Sequence, residues 1–377
     1  MPTGQALSTP AALVDVARMQ SNIQRMQARM DSLGVAFRPH VKTTKCVEIA
    51  RRQAAAGARG ITVSTLKEAE QFFSAGFDDI LYAVGIVPSK FEQALALRQR
   101  GCQLKLIVDS VEMARAAGRF GTERGHCFEL WIEIDCDGHR SGVAPKSEVL
   151  LEVGSAIVNG GSTLGGVMTH AGSSYELHTP GALQALAEQE RSSCVLAAAR
   201  LREQGWPCPV VSVGSTPTAL AVQTLTGVTE VRAGVYVFFD LVMANVGVCD
   251  LQDLALSVLT TVIGHQVEKG WAIVDAGWMA MSRDRGTQRQ HRDFGYGQVC
   301  SAEGQPLEGY LLGGANQEHG IISRAGNPDP EIRERFPVGT LLRILPNHAC
   351  ATGAQFPLYA ALEADGSIGN WPRSHGW

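Results

Sequence analysis

The sequence is short of the features that would set it apart from ordinary globular proteins. No apolar run reaches the ~18 residues a membrane-spanning helix needs, so no transmembrane segment is expected. Charge is sparse and nearly balanced: 33 lysines and arginines against 37 acids leave a formal net charge of -4. Neither nucleic acid nor an anionic membrane would find a basic surface on such a chain. The N-terminus, MPTGQALSTP, lacks the basic-then-apolar pattern of a secretory leader. Nine cysteines stand singly, with no C-x-x-C and an odd total. That argues against a disulfide framework or a zinc ribbon and for a reducing, cytoplasmic setting. No G-x-x-x-x-G-K-[ST] and no strand-linked G-x-G-x-x-G occurs, so nucleotide cofactors are poorly supported.

What is present is ample apolar material, 45% of 377 residues, enough for one large domain and a smaller one. From Val35 to Phe238 a short β-rich run, a polar or glycine-containing turn and a helical pattern repeat. The strand candidates are 35–37, 61–64, 80–84, 104–109, 129–135, 164–170, 210–213 and 230–238. Helical spacing separates most of them, and an amphipathic helix over 16–33 precedes the first. Eight strands alternating with helices predict a (β/α)8 barrel over residues 13–246, with a doubly wound open sheet as the other topology this spacing allows. Beyond Asn245 short β-type runs are split by Gly, Pro and Asn, which predicts a mostly antiparallel β domain over 247–377. Residues 1–12 are candidates for an added strand of that domain.

Lys42, in the run RPHVKTTK, lies where the first strand turns into a helix, the end at which parallel α/β folds bind ligands. An amine there forms an imine with an aldehyde when desolvation or nearby cations lower its pKa. The plain alternative makes Lys42 and Lys45 solvated loop charges. The other strands deliver Ser64, Tyr82, Asp109, the Asp135–Gly142 loop with Arg140, His170, the Gly214-Ser215-Thr216 turn, and Arg232, Gly234 and Tyr236 to the same rim. Gly214, Ser215 and Thr216 before a helix, with Gly234 nearby, supply N–H groups and hydroxyls suited to a phosphate. An imine-forming lysine and a phosphate cradle on one rim point to pyridoxal 5'-phosphate.

Near the C-terminus His348 and Cys350 are two residues apart after a strand-like LLRIL. In an extended segment they face one side, and an imidazole with a thiolate can hold one divalent metal while leaving positions open for water and substrate. Core packing is the alternative. Glu318 and His319 in GANQEHG are candidates for proton transfer, or simply satisfy a loop.

With RPHVKTTK, EIDCDGHRSGV, THAGSSYE, VSVGSTPT, VRAGVYVFFD, GANQEHG and PNHACAT in this order, the chain resembles the pyridoxal-phosphate enzymes of fold type III. In these an alanine-racemase-like barrel is followed by a β domain. Within them it is similar, over essentially its whole length, to the metal-assisted family of D-threonine aldolase, eukaryotic-type D-serine dehydratase and the 3-hydroxyaspartate dehydratases. The resemblance implies that Lys42 is the Schiff-base lysine and that Arg140 bonds the cofactor's phenolic oxygen. It implies phosphate contacts from Gly214, Ser215, Thr216, Gly234 and Val235, and cofactor contacts from His170, Tyr175 and Tyr236. Arg232 matches the arginine that faces the pyridine nitrogen in the racemases; the aldolases of this family do not keep it. His348 and Cys350 match the metal pair, for which Mn, Zn, Co, Ni and Mg are the candidate ions. Aldolases carry Asp where this chain has Cys350, which favours elimination. The implied activity is dehydration of a D-configured β-hydroxy amino acid, such as a 3-hydroxyaspartate, to a 2-oxo acid such as oxaloacetate and ammonia by a homodimer. Retro-aldol cleavage to glycine and an aldehyde is the alternative at the same site. A non-catalytic pyridoxal-phosphate carrier is the alternative of another class, although such carriers lack the second domain; racemisation is a further one. Arg283, Arg285 and Arg289 are candidates for a distal substrate carboxylate.

Overall fold

A computed structural model describes residues 7–326 and 328–377. The chain divides into two compact units, Gln24–Gly234 with Ser374–Trp377, and the chain up to Ile23 with Val235–Arg373. After β1 (Ala11–Asp15) and α1 (Val16–Ser32), strand and helix alternate through β2 (Ala36–Pro39), α2 (Val47–Ala55), β3 (Ile61–Val63), α3 (Leu66–Ser74), β4 (Asp79–Gly85) and α4 (Phe91–Gln99). The series continues with β5 (Gln103–Val108), α5 (Val111–Glu123), β6 (Glu129–Ile134), α6 (Val149–Asn159), β7 (Thr163–Thr169), α7 (Pro180–Glu203), β8 (Val210–Val213), α8 (Thr216–Ala221) and β9 (Glu230–Ala233).

In the first unit the strands pair in parallel in the order β2-β9-β8-β7-β6-β5-β4-β3. A bridge between His40 and Thr62 joins the two ends of the series, with the Val41 N–H donating to the Thr62 carbonyl at 2.9 Å. That closure makes the barrel and excludes the doubly wound sheet. Strands buried on both faces explain the continuous apolar runs seen in the sequence. Leu81, Ile107, Trp131 and Met168 form one buried cluster. The helices start where side chains satisfy orphan N–H groups: Thr65, Ser110 and Thr179 accept from Glu68, Met113 and Ala182. The last strand is shorter than its apolar run (230–238) predicts. It ends at Ala233, and a 3-10 turn, Val235–Val237, follows. Gly234 marks the change: a β-carbon there would lie 3.1 Å from the His40 carbonyl oxygen, so the backbones are in close contact.

The second unit contains α9 (Leu241–Val246), β10 (Leu256–Gln266), β11 (Trp271–Val274), α10 (Trp278–Met281), β12 (Gly297–Cys300), β13 (Pro306–Ala315), β14 (Gly320–Arg324), α11 (Ile332–Arg335), β15 (Leu341–Pro346), α12 (Ala349–Gly353), β16 (Leu358–Leu362) and β17 (Ile368–Pro372). Its strands run β11-β14-β13-β12-β15-β10-β1-β16-β17, and β10 also pairs with β11. Six of them therefore close on themselves around Val258, Val262, Val274, Leu312, Ile322, Leu342 and Ile344. All pairings are antiparallel except β1 with β16. Of the N-terminal stretch proposed as an added strand, residues 1–6 lie outside the described residues, and the observed strand β1 begins at Ala11. Strands β14 and β17 were not expected: GIISR is short, and IGNWP mixes Gly, Asn and Pro, residues depleted in strands.

Candidate active site

Lys42 occupies the turn between β2 and α2 and is exposed. The second lysine of the run is committed elsewhere: Lys45 Nζ is 2.8 Å from Glu68 Oε1, whose side chain is buried. Two histidines stand in the field of Lys42. Burial, and then the Lys42 charge, hold His40 well below the ordinary imidazole range. The same causes in the same order bring His170 down to about 3. His170 Nδ1 is 3.0 Å from the Gly214 carbonyl, so Nδ1 carries the proton and Nε2 the lone pair. Its ring centroid is 6.2 Å from that of Tyr175.

Gly214 has φ +134, and a β-carbon there would fall 2.1 Å from the Arg232 carbonyl oxygen, so no side chain fits. Ser215 caps α8 in a capping box with Thr218, and its hydroxyl is 2.9 Å from that of Ser174. The loop differs from the expected row of free N–H groups. The Gly214 N–H donates to Glu190 Oε1 at 3.1 Å and the Ser215 N–H to Thr218 Oγ1 at 3.0 Å, so two donors hold the loop together. Thr216 is buried beside them.

Arg232 is buried in the barrel at the end of a polar chain. Its Nη1 donates to Ser212 Oγ at 2.6 Å and its Nη2 to the Thr169 carbonyl. Ser212 Oγ in turn donates to Glu230 Oε1 at 2.6 Å, and Arg38 Nε donates to Glu230 Oε2 at 3.0 Å. Arg140 lies on the exposed Asp135–Gly142 loop, 3.9 Å from Glu133 Oε1. That loop packs on the turn that carries Tyr175: Asp137 Oδ2 accepts from the Ser173 N–H at 2.9 Å, and a β-carbon at Gly172 would lie 2.2 Å from the His139 ring as it stands. Val235 and Tyr236 are buried and open the second unit. Of the other rim residues, Tyr82 takes a hydrogen bond from Lys90 at 2.9 Å and Ser64 donates its N–H to Glu68 at 2.9 Å.

In the second unit His348 and Cys350 are not in an extended segment, as the spacing implies. The strand β15 ends at Pro346, His348 is the N-cap of α12, and Cys350 lies in its first turn. The two side chains still meet, through a hydrogen bond made across the turn. Asp284 Oδ2 is 2.5 Å from His348 Nδ1. Burial would lower the imidazole pKa, but Cys350 and Asp284 outweigh it and raise His348 to about 11. The turn itself is fixed independently. Asp240 Oδ2 accepts from the Ala349 N–H and its Oδ1 from the Met243 N–H, both at 3.0 Å. Asn347 accepts from Thr287 Oγ1 at 3.0 Å and donates to the Gly295 carbonyl at 2.7 Å.

The GANQEHG stretch is the β13–β14 hairpin turn, and its Asn316 and Gln317 carbonyls accept the first N–H groups of α10; Glu318 and His319 are exposed. Arg285 is bonded to Asp293 at 2.8 Å, Arg283 lies over the Trp278 ring at 4.4 Å, and Arg289 is exposed.

The residues fit both groups. The barrel offers two histidines kept neutral, hydroxyls beside a glycine turn and a buried guanidinium, a setting for an anionic aromatic aldehyde. The imidazole–thiol pair supplies two ligands, which suits an ion with open positions rather than a structural one.

The family model described as alanine racemase, N-terminal domain, matches residues 14–242, and the one described as putative serine dehydratase domain matches 255–362. D-threo-3-hydroxyaspartate dehydratase of Delftia sp. (strain HT23) is 68% identical over 98% of each chain. The chain belongs to this fold-type III dehydratase family. The solved structure of the Delftia dehydratase superposes with a TM-score of 0.98 over 99% of both chains at 68% identity. Two further structures of it carry a histidine-to-alanine change and, two positions later, a cysteine-to-alanine change in the metal-free form. D-serine dehydratase of Dictyostelium discoideum is 32% identical over 97% of this chain and 95% of its own. D-threonine aldolase from Filomicrobium marinum matches with a TM-score of 0.82 at 25% identity, over 97% of this chain and 95% of that one.

Asp240, Asp284 and Glu190 were missed by sequence reasoning. Nothing in the spacing links Asp284 or Asp240 to His348. Glu190 did leave a signal, being an acid on the apolar face of α7.

Proposed function

We infer that this chain is a pyridoxal-phosphate- and divalent-metal-dependent dehydratase. It eliminates water from a D-configured β-hydroxy amino acid, D-threo-3-hydroxyaspartate first, and yields oxaloacetate and ammonia. The observation that carries the reading is the 68% identity, over 98% of each chain, to an enzyme of that activity.

The division of labour we propose follows the sequence: the segment 13–246, which contains the barrel, binds the coenzyme and 247–377 carries the metal pair. When bound, the coenzyme supplies an electron sink at Cα and the metal a Lewis acid at the departing β-hydroxyl. Lys42 would hold the coenzyme through its ε-amine and take the Cα proton of the substrate. The commitment of Lys45 to Glu68 supports that choice. His40 and His170, kept neutral, do not compete for that proton over the working range. Ser215, Thr216 and the turn at Gly214 and Gly234 would hold the phosphate, with Val235 beside them. His170, Tyr175 and Tyr236 would border the ring, Arg140 its phenolic oxygen and Arg232 its nitrogen. His348 and Cys350 would bind the metal, which we expect to be Zn, Mn, Co or Ni ahead of Mg on the softness of the thiolate. What supports them is their contact, the Asp284 brace behind the imidazole, and the matching two-residue spacing of the Delftia histidine and cysteine variants.

A product assay on D- and L-β-hydroxy amino acids, with and without chelator, tests the reading. Ammonia and oxaloacetate from the D-threo isomer, lost on chelation and restored by metal, is the expected result. Glycine plus an aldehyde would make the chain an aldolase, and turnover that ignores chelator would remove the metal pair from the reaction. No helix among the described residues is long and apolar enough to cross a membrane. A cytoplasmic homodimer is the proposed working form, checked by light scattering on the purified holoenzyme.

A further inference from the structure

Helix α7 carries a carboxylate that the reaction above does not use. Glu190 is 2% exposed and shares its helix face with Leu183, Leu186, Ala187, Cys194 and Ala197. Its Oε1 accepts the Ala171 N–H at 2.9 Å and the Gly214 N–H at 3.1 Å, and the Thr218 side chain bonds the same carboxyl group. Ala171 follows His170 after β7, and Gly214 follows β8. The Gly214 peptide is thus gripped from both sides, its N–H by Glu190 and its carbonyl by His170 Nδ1–H at 3.0 Å. Thr218 extends the grip to Ser215, whose N–H it accepts at 3.0 Å.

Packing alone does not call for an acid here, since burying a carboxylate is costly unless donors surround it. Attraction does not call for one either, because a negative charge behind a phosphate loop repels the phosphate. What remains is geometry. A single acceptor oxygen ties the two strand ends that carry His170 and Gly214. Among the described residues Glu190 is the side chain that holds the N–H of the left-handed turn at Gly214.

We propose that Glu190 is the positioning residue of the coenzyme-phosphate loop. It sets the Gly214 turn, gathers the Ser174 and Ser215 hydroxyls and holds His170 in its Nδ1–H form through one buried acceptor. The inference rests on the pyridoxal-phosphate reading.

The test is coenzyme affinity of the apoprotein, measured by absorbance titration with pyridoxal 5'-phosphate and by competition with inorganic phosphate, together with amide exchange at Ala171 and Gly214. Glu190→Leu removes the acceptor. It should weaken both ligands at least tenfold and speed exchange at both amides. Glu190→Gln keeps an oxygen in place and should stay within about threefold of the parent, a rescue that loss of packing does not predict. Should the Leu variant fail to fold, Glu190→Asp, one methylene too short to span both N–H groups, should weaken both ligands similarly. A folded Leu or Asp variant with parental affinity and exchange overturns the proposal, and so does a Gln variant as impaired as Leu. Parent protein that takes up no pyridoxal phosphate refutes the coenzyme reading instead; the amide exchange at Ala171 and Gly214 then decides the role of Glu190.

Discussion

Removing the carboxylate behind His348 should loosen the metal without disturbing the turn that presents it. Asp284 Oδ2 lies 2.5 Å from His348 Nδ1, which orients the ring; an ion at Nε2 would displace the proton that Cys350 and Asp284 help hold on the imidazole. The backbone around it depends on other groups, the Asp240 bond to Ala349 and the Asn347 bonds to Thr287 and Gly295. Asp284→Ala therefore frees the ring but not the loop. Loss of such an outer carboxylate typically weakens metal binding about 10- to 100-fold, or about 1.4–2.7 kcal/mol at 25 °C. Asp284→Asn retains an oxygen that accepts from Nδ1–H but loses the charge, so it should fall at the lower end of that range. The assay is calorimetric titration of chelator-stripped holoenzyme with Zn²⁺ or Mn²⁺. The coenzyme absorbance band serves as an internal control, because Asp284 makes no part of the proposed coenzyme site. An Ala variant that binds metal within twofold of the parent would refute the reasoning. So would a loss of coenzyme absorbance in parallel with the metal.

Lys42→Ala should abolish both the coenzyme imine absorbance and turnover. Lys45→Met should keep the absorbance yet destabilise the fold by about 3 kcal/mol, because it leaves the buried Glu68 carboxylate without its cation; chemical denaturation of both variants separates the two lysines. Gly214→Ala puts a β-carbon 2.1 Å from the Arg232 carbonyl in a left-handed conformation. It should cost at least about 2 kcal/mol of stability and most of the coenzyme affinity, read by melting temperature and absorbance titration; parental values for both would count against the observed turn. The depressed pKa of His170, about 3 when folded, makes the apoprotein acid-sensitive. An unfolded histidine gains its proton near pH 6.5 while the folded one does not, so stability is full above that pH and falls as pH drops toward 3. At pH 5 this amounts to about 2 kcal/mol. A His170→Asn variant should show that much less loss between pH 7 and pH 5, and parallel stability curves would refute the assignment.

Much of the architecture was legible because it is written in local periodicity. Strands buried on both faces read as unbroken apolar runs such as 104–109 and 129–135, and the helices between them repeat at 3.6 residues. The apolar run 230–238 misled for the same reason: hydrophobicity cannot tell a buried strand from the buried turn Val235–Val237 that continues it. Pairing order in the second unit was not legible, since closing six strands on each other is a long-range choice that no local window records. Lys42 and the Gly214-Ser215-Thr216 turn were candidates as residue types at turn positions, and the His348/Cys350 pair as metal-binding types two residues apart in an extended segment. The mechanism assumed for the last pair was wrong, because a helical first turn and not a strand brings imidazole and thiol together.

The sequence by itself determined the order of elements, the chemistry available at the strand ends and the family, all of which depend on residue identity at short separation. Only the tertiary structure decided which polar groups brace that chemistry. Asp284 reaches His348 across 64 positions, and Glu190 ties Ala171 to Gly214 from a helix that lies between them in the chain. Such partners are chosen by barrel closure and burial, which bring distant donors to an acceptor that has no water to turn to.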